Sequence, residues 1–190
     1  MVKKNFFKDG KKFLIAEAGI NHNGNLKSAL KLVDVASKNG ADAIKFQTYI
    51  TEKRIKKKYS KIFDILKKCE LSYKDFEIIN NYCNKKKIIF FSTPFDKEAV
   101  DFLESLNVKI YKVASFDIGN FELINKIIKT KKPTIVSTGM AKLEEIRKVY
   151  LSFLKKDIEL ALLHCVSSYP NKDINSYLSN IGFLKKKFNC

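Results

Sequence analysis

No apolar run in this 190-residue sequence approaches the roughly 18–20 residues of a membrane span, so no transmembrane helix and no membrane partner are expected. The basic start, Met1-Val-Lys-Lys-Asn5, lacks both an apolar h-region and a cleavage site, and no signal peptide is read there. Cysteine is scarce. Cys69, Cys83, Cys165 and Cys190 show no metal-type pair spacing, and the reading is free thiols in a reducing cytosol. Histidine is scarcer still: His22 and His164 have no local spacing and make no metal site by themselves. No Gly-x-Gly-x-x-Gly follows any strand-like run, which weakens a dinucleotide-binding reading. Arginine occurs only at Arg54 and Arg147, although Lys and Arg total 37 against 20 Asp and Glu, for a formal net charge of +17. Base-edge and phosphate recognition favour the arginine fork. The lysine excess comes with much Ile, Asn and Phe, residues of A/T-rich codons. It is read as genome composition spread over helix surfaces, and no nucleic-acid partner is expected.

What is present fits one globular domain with a substantial core: 45% hydrophobic and 30% charged residues. After a basic lead-in over 1–12, apolar runs of strand length are expected at 13–18, 43–47, 88–92, 108–113, 134–137 and 160–165. Helical spacing of apolar residues is expected over 26–39, 72–86, 96–106, 121–129, 143–154 and 174–187. The stretch 48–71 reads as a basic excursion with a short helix near 61–69. Such β/α alternation implies a parallel sheet with right-handed crossovers. Two architectures compete, a doubly wound open sheet and a TIM (β/α)8 barrel. Polar residues stand at the ends of all six strands, and a barrel gathers every such end around one mouth. The barrel is therefore favoured. It is expected to be incomplete, with about six β/α units, because complete barrels run to about 250 residues.

The chemistry is expected at those strand ends. Glu17 closes the first strand just before the polar turn Asn21-His22-Asn23-Gly24, and a carboxylate there is costly to bury without a partner. Lys45 and Lys112 sit inside apolar strands, where lysine is rare unless paired. Each admits two readings: a structural ion pair, with Glu17 as one candidate partner, or contact with an anionic ligand. Ser92-Thr93, Ser115, Ser137-Thr138-Gly139 and Ser167-Ser168 add hydroxyls and backbone N–H groups at the same level. Any one of them reads as a helix cap, but together they suit the oxygens of a small phosphorylated, carboxylated substrate. His22 reads as a base, a sugar contact or a surface residue. His164 is placed on the last strand, on a face with Leu160 and Leu162, as a core residue or a ligand. Tyr169 reads as an aromatic against a sugar or one that closes the core.

Six motifs then carry a family resemblance: Ala-Glu17-Ala-Gly-Ile-Asn-His-Asn-Gly24, Ile-Lys45-Phe-Gln47-Thr, Ser92-Thr93-Pro-Phe, Tyr-Lys112-Val-Ala-Ser115-Phe-Asp117, Ser137-Thr-Gly-Met and Leu-Leu-His-Cys-Val-Ser-Ser-Tyr169-Pro. In this order and spacing the chain resembles the N-terminal catalytic domain of sialic acid synthases, the phosphoenolpyruvate-dependent nonulosonic acid synthases. The resemblance implies a (β/α)8 barrel followed by an antifreeze-like domain. It also implies a cytoplasmic transferase that condenses phosphoenolpyruvate with an N-acetylated amino sugar and releases phosphate. By position, Lys45, Ser115 and Ser137 would hold the phosphate, and Lys112 and Thr93 the carboxylate. Gln47, Asp117 and Tyr169 would face the sugar, Ser167 is a further substrate-binding candidate, and Glu17 would stand near the reacting carbons. Glu17, Lys45 and Lys112 are the catalytic candidates. The family's divalent cation, Mn2+ or Mg2+, implies histidine ligands that are expected beyond Cys190. The expectation is thus one partial barrel domain over 1–190, without the last barrel strands or the antifreeze-like domain, inactive alone, from a homodimeric whole protein. Ala-Ser-Phe-Asp117 stands where sialic acid synthases proper have Gly-Ser-Gly-Glu, and Ser167 where they have Asn. That version looks closer to synthases acting on deoxy, diacetamido sugars. Another phosphoenolpyruvate-using barrel synthase and a non-catalytic basic module are the alternatives.

Overall fold

Side-chain N-caps start four of the eight α-helices among the described residues. In the computed structural model, which describes Phe7 and residues 12–189, Asn25 accepts from the Ser28 N–H at the start of α1 (Leu26–Lys38). The rest of 1–11, with most of the expected basic lead-in, and Cys190 lie outside the described residues. The chain divides into two compact units, Lys12–Lys109 and the described part of Ile110–Cys190 taken with Phe7.

The first unit runs β1 (Ile15–Glu17), α1, β2 (Ala43–Thr48), α2 (Thr51–Arg54), α3 (Ser60–Lys68), α4 (Tyr73–Lys86), β3 (Ile89–Pro94) and α5 (Lys97–Ser105). β1 pairs parallel with β2, and β2 with β3, setting Glu17 opposite Lys45 and Gln47 opposite Thr93. The two-residue period of a strand then puts Glu17, Lys45, Gln47 and Thr93 on one face. The opposite face carries Phe46, whose ring lies 6.2 Å from that of Phe76 and 5.9 Å from that of Phe90. Phe76 comes from α4, which begins with a reciprocal cap. The Ser72 Oγ accepts from the Asp75 N–H at 3.1 Å, and the Asp75 carboxylate accepts from the Ser72 N–H at 2.9 Å. β3 runs two residues past the expected Ser92. Its last residue, Pro94, stands opposite Thr48 at the strand end, where the missing N–H costs least. The expected short helix at 61–69 is α3, and α2 is an addition to it, started where the Glu70 carboxylate accepts from the Thr51 N–H at 2.8 Å.

The second unit runs β4 (Tyr111–Val113), a 3-10 turn Ser115–Asp117, α6 (Phe121–Lys129), β5 (Thr134–Ser137), α7 (Leu143–Leu154), β6 (Leu160–Leu163), a 3-10 turn Asp173–Asn175 and α8 (Ser179–Phe188). β4 pairs parallel with β5, and β5 with β6. The two outer strands are shorter than expected. Val108 and Ile110 are buried ahead of β4 and are not part of it. β6 ends at Leu163, whose carbonyl accepts from both the N–H and the hydroxyl of Thr138, so His164 lies beyond the strand. The single helix expected at 174–187 is split, because Tyr177 takes a φ of +43° between the 3-10 turn and α8. Six parallel strands alternating with helices make the fold an incomplete TIM-type (β/α)8 barrel.

Candidate active site

In the first unit the site residues share one face of three strands, with Lys45 midway along β2 and Glu17, Gln47 and Thr93 nearer the C-terminal ends. Lys45 is buried and its Nζ lies 2.7 Å from the Glu17 carboxylate, whose side chain is 63% exposed. The structural-pair reading of Lys45 therefore holds in the ligand-free chain. It leaves the anion reading intact, because a cation paired to a solvent-facing carboxylate can exchange that partner for another anion at small cost. Gln47, one step along the same face, is half-buried and accepts a hydrogen bond at Oε1 from Arg54 Nη1 at 3.2 Å. Thr93, opposite it, is buried. Ser92 points the other way and shares a 2.7 Å hydrogen bond with Thr48, so it belongs to the packing behind the strands.

Of the three readings of His22, burial excludes the surface one. It is buried against Phe46, with ring centroids 6.0 Å apart, and Nδ1 accepts from the Gly24 N–H at 3.1 Å. Burial holds its pKa below the ordinary value, and a hydrogen bond with the Gly19 backbone opposes that shift in part. It is a neutral residue that shapes the turn between β1 and α1. Gly24 is required in that turn. Its φ is +68°, and a Cβ there would sit 2.2 Å from the Lys68 carbonyl oxygen.

In the second unit Lys112 is buried at the middle of β4, and its Nζ donates to the Ser137 hydroxyl at 2.5 Å and to the Val113 carbonyl at 2.9 Å. Ser137 ends β5, and Cys165 lies 3.4 Å from its oxygen. The Ser115 hydroxyl, in the turn after β4, accepts from the Gly139 N–H at 3.2 Å. Asp117, at the end of the same turn, is buried. Lys112 and Ser137 are thus joined by a hydrogen bond, and Ser115 holds the Gly139 N–H two residues beyond Ser137. Ser167 and Tyr169 are exposed, Tyr169 by 95%, so its ring does not close the core. His164 Nε2 lies 2.9 Å from the Ser176 carbonyl.

The described residues do not fit the implied cation. No group of three or more His, Cys, Asp and Glu among them could hold a metal ion. The His22 nitrogen that could ligate is engaged with the Gly24 N–H, and His164 is engaged with backbone. Cys69, Cys83 and Cys165 are free thiols, and burial pushes that of Cys83 up to about 12.

Arg54 is the residue that the sequence did not single out. Its guanidinium carbon stands 3.8 Å from the Phe95 ring centroid and 4.6 Å from that of Tyr49. The only signal for it was its rarity in a lysine-rich chain.

The model of the NeuB family matches residues 32–190. The chain is 39% identical over 184 aligned positions to the N,N'-diacetyllegionaminic acid synthase of Legionella pneumophila, covering 86% of this chain and 51% of that protein. It is 38% identical over 199 aligned positions to the pseudaminic acid synthase of Campylobacter jejuni, covering 97% of this chain and 58% of that one. The crystal structure of N-acetylneuraminic acid synthetase from Leptospira borgpetersenii, in complex with citrate, superposes with a TM-score of 0.90 at 40% identity. That match covers 93% of this chain and 61% of the other. The chain spans about half the length of the curated relatives it matches.

Proposed function

The chain belongs to the NeuB family, and on that premise we propose that it serves the condensation of phosphoenolpyruvate with an N-acetylated amino sugar. The products are a nonulosonic acid and inorganic phosphate. The methylene carbon of phosphoenolpyruvate bonds to the sugar's aldehyde carbon, a water supplies one oxygen, and phosphate leaves. The observation that carries this reading is a pair of buried lysines, Lys45 and Lys112, each in a strand and each held to a polar partner on the strand next to it.

In this proposal Lys45 and the hydroxyls of Ser115 and Ser137 take the phosphate, and Lys112 and Thr93 take the carboxylate. Buried ammonium groups favour both charges more than surface lysines would, because little water competes for them. Phosphate entering beside Lys45 displaces Glu17 from its ion pair. That leaves a carboxylate next to the reacting carbons, able to take a proton from the attacking water. Gln47, Asp117, Ser167 and Tyr169 face the sugar. The Phe-Asp117 variant favours deoxy, diacetamido sugars as acceptors, which fits the legionaminic and pseudaminic acid synthases among its relatives. The cation would activate the sugar aldehyde. Among the described residues no group of three or more His, Cys, Asp and Glu could hold it, and we infer that this chain turns over little by itself. No helix among the described residues is long and apolar enough to cross a membrane, and with its free thiols the chain fits the cytosol. The whole protein acts as a homodimer.

The test is phosphate release from phosphoenolpyruvate with Mn2+ and a panel of N-acetylated sugars. It is run on this chain and on a longer version that includes the barrel portion present in its relatives. The longer version should release phosphate only when an acceptor sugar is present, and this chain should bind phosphoenolpyruvate without turnover. Lys112→Ala should weaken phosphoenolpyruvate binding by about 1.5–3 kcal/mol, the range for a hydrogen bond to a charged group. Unchanged binding in both Lys45→Ala and Lys112→Ala would remove the two lysines from the site. Turnover by this chain near the rate of the longer version would show that the metal's ligands lie within it.

A further inference from the structure

Arg54 is built into its place. Tyr49 and Phe95, the two rings beneath its guanidinium, are buried and meet edge-on at 6.0 Å. The Tyr49 hydroxyl donates to the Leu66 carbonyl at 3.0 Å, which ties that ring to α3. The Thr51 N–H, at the head of the short helix that Arg54 ends, donates to the Glu70 carboxylate. Glu70 and Glu52 in turn share Lys67, at 3.1 and 3.0 Å. A guanidinium laid on two fixed rings retains little freedom, and its donors point in set directions.

One of those donors goes to Gln47. Because Nη1 donates to Oε1 at 3.2 Å, the Gln47 amide has one permitted orientation: turned over, it would set its own N–H groups against the guanidinium, donor against donor. Its NH2 end is thereby aimed away from Arg54, toward Gly19, where a Cβ would stand 3.4 Å from Nε2. Gly19 follows the end of β1, two residues beyond Glu17. The amide therefore presents a donor, and not an acceptor, beside the end of β1 that carries Glu17 and on the strand face that carries Lys45.

We propose that Arg54 is a positioning residue: it fixes the Gln47 amide so that its NH2 group donates to an oxygen of the acceptor sugar. This rests on the reading of Gln47 as a sugar contact given above. Lysine at position 54 would keep one donor but lose the planar stacking that aims it. Methionine would keep the packing on the rings and lose every donor.

Two measurements on this chain test the proposal. In the first, the side-chain amide resonances of Gln47, assigned by their loss in Gln47→Ala, are followed in Arg54→Met. They should move from a dispersed, slowly exchanging pair to the positions of solvent-exposed glutamines, and Arg54→Lys should restore part of the dispersion. In the second, calorimetry gives dissociation constants for phosphoenolpyruvate and for a deoxy, diacetamido hexose, the acceptor class proposed above. Arg54→Met and Gln47→Ala should each weaken the sugar about tenfold, a plausible loss for one hydrogen bond, with phosphoenolpyruvate unchanged. The double variant should be no weaker than either single one, because Arg54 acts only through Gln47. Undisturbed Gln47 resonances in Arg54→Met would overturn the positioning step. Losses that multiply in the double variant would overturn it too, since Arg54 would then act on its own. Sugar binding that is undetectable in the wild type, or unaffected in Gln47→Ala, would overturn the premise that Gln47 meets the sugar and the proposal with it.

Discussion

Single residues separate what the sequence could show from what it could not. Lysine in an apolar run was legible, because burial of a charge is expensive enough to stand out of composition. The partner was legible for Lys45, since strand register sets Glu17 opposite it. The role of His22 was not, because whether a turn histidine faces solvent or the core depends on packing with Phe46, a residue on a different strand. That packing has a consequence with pH. Burial lowers the His22 pKa from its ordinary 6.5, so below that value the unfolded chain binds a proton that the folded chain resists. The contribution to stability is complete above about 6.5 and is lost as pH falls below it. Urea midpoints should fall between about pH 7.5 and 5.5 in the wild type and change less in His22→Gln. Equal slopes in the two proteins would place the titration elsewhere. A second prediction concerns Gly139, where a Cβ would meet the Cys165 carbonyl oxygen at 2.6 Å, backbone that cannot turn aside. Gly139→Ala should push the chain after β6 away and disturb the Gly139 N–H contact to Ser115, weakening phosphoenolpyruvate binding more than global stability. A loss of thermal stability with binding intact would contradict that account.

Elements were the most legible scale, and their ends the least. α6, α7 and β5 fall where apolar spacing puts them, because a helix or strand with one buried face repeats its signal several times over. Ends depend on single hydrogen bonds. Thr138 takes the carbonyl that would have continued β6, and the Glu70 carboxylate starts α2 from 19 residues away; neither has a periodic signature. The same contrast predicts unequal energies within one element. Ser72→Ala removes half of the reciprocal cap on α4, at the exposed end of the helix, and should cost about 1 kcal/mol. Phe46→Ala opens a hole beneath α4, among Phe76, Phe90 and His22, and should cost about 3–5 kcal/mol. Chemical denaturation of both variants checks the ranking. A cap loss as large as the core loss would mean that α4 is held mainly by its first turn.

At the scale of the whole chain, the family was written in six motifs taken in order, and the net charge was read as composition spread over helix surfaces. The structure supplies a local reason for much of that charge. Six helices, α1, α2, α3, α4, α6 and α8, carry Lys or Arg in their last turn, where a cation offsets the negative end of the helix dipole. Lys45 and Lys112 are the two buried lysines among the described residues; the others are half-buried or exposed. Charge placed for helix ends is spread over both units, and a spread charge binds polyanions without a preferred face. Binding to duplex DNA should therefore be weak and should fall steeply with salt, as counterion release requires. Reversing Lys56, Lys57 and Lys58 to Glu, between α2 and α3, should reduce it about as much as reversing Lys185, Lys186 and Lys187 in the last turn of α8. Fluorescence anisotropy with labelled duplex at several salt concentrations measures both, with phosphoenolpyruvate binding as the control for an intact fold. If one triple reversal abolished DNA binding and the other left it unchanged, the charge would form a specific patch, and the basic-module reading would have to be taken up alongside the synthase one.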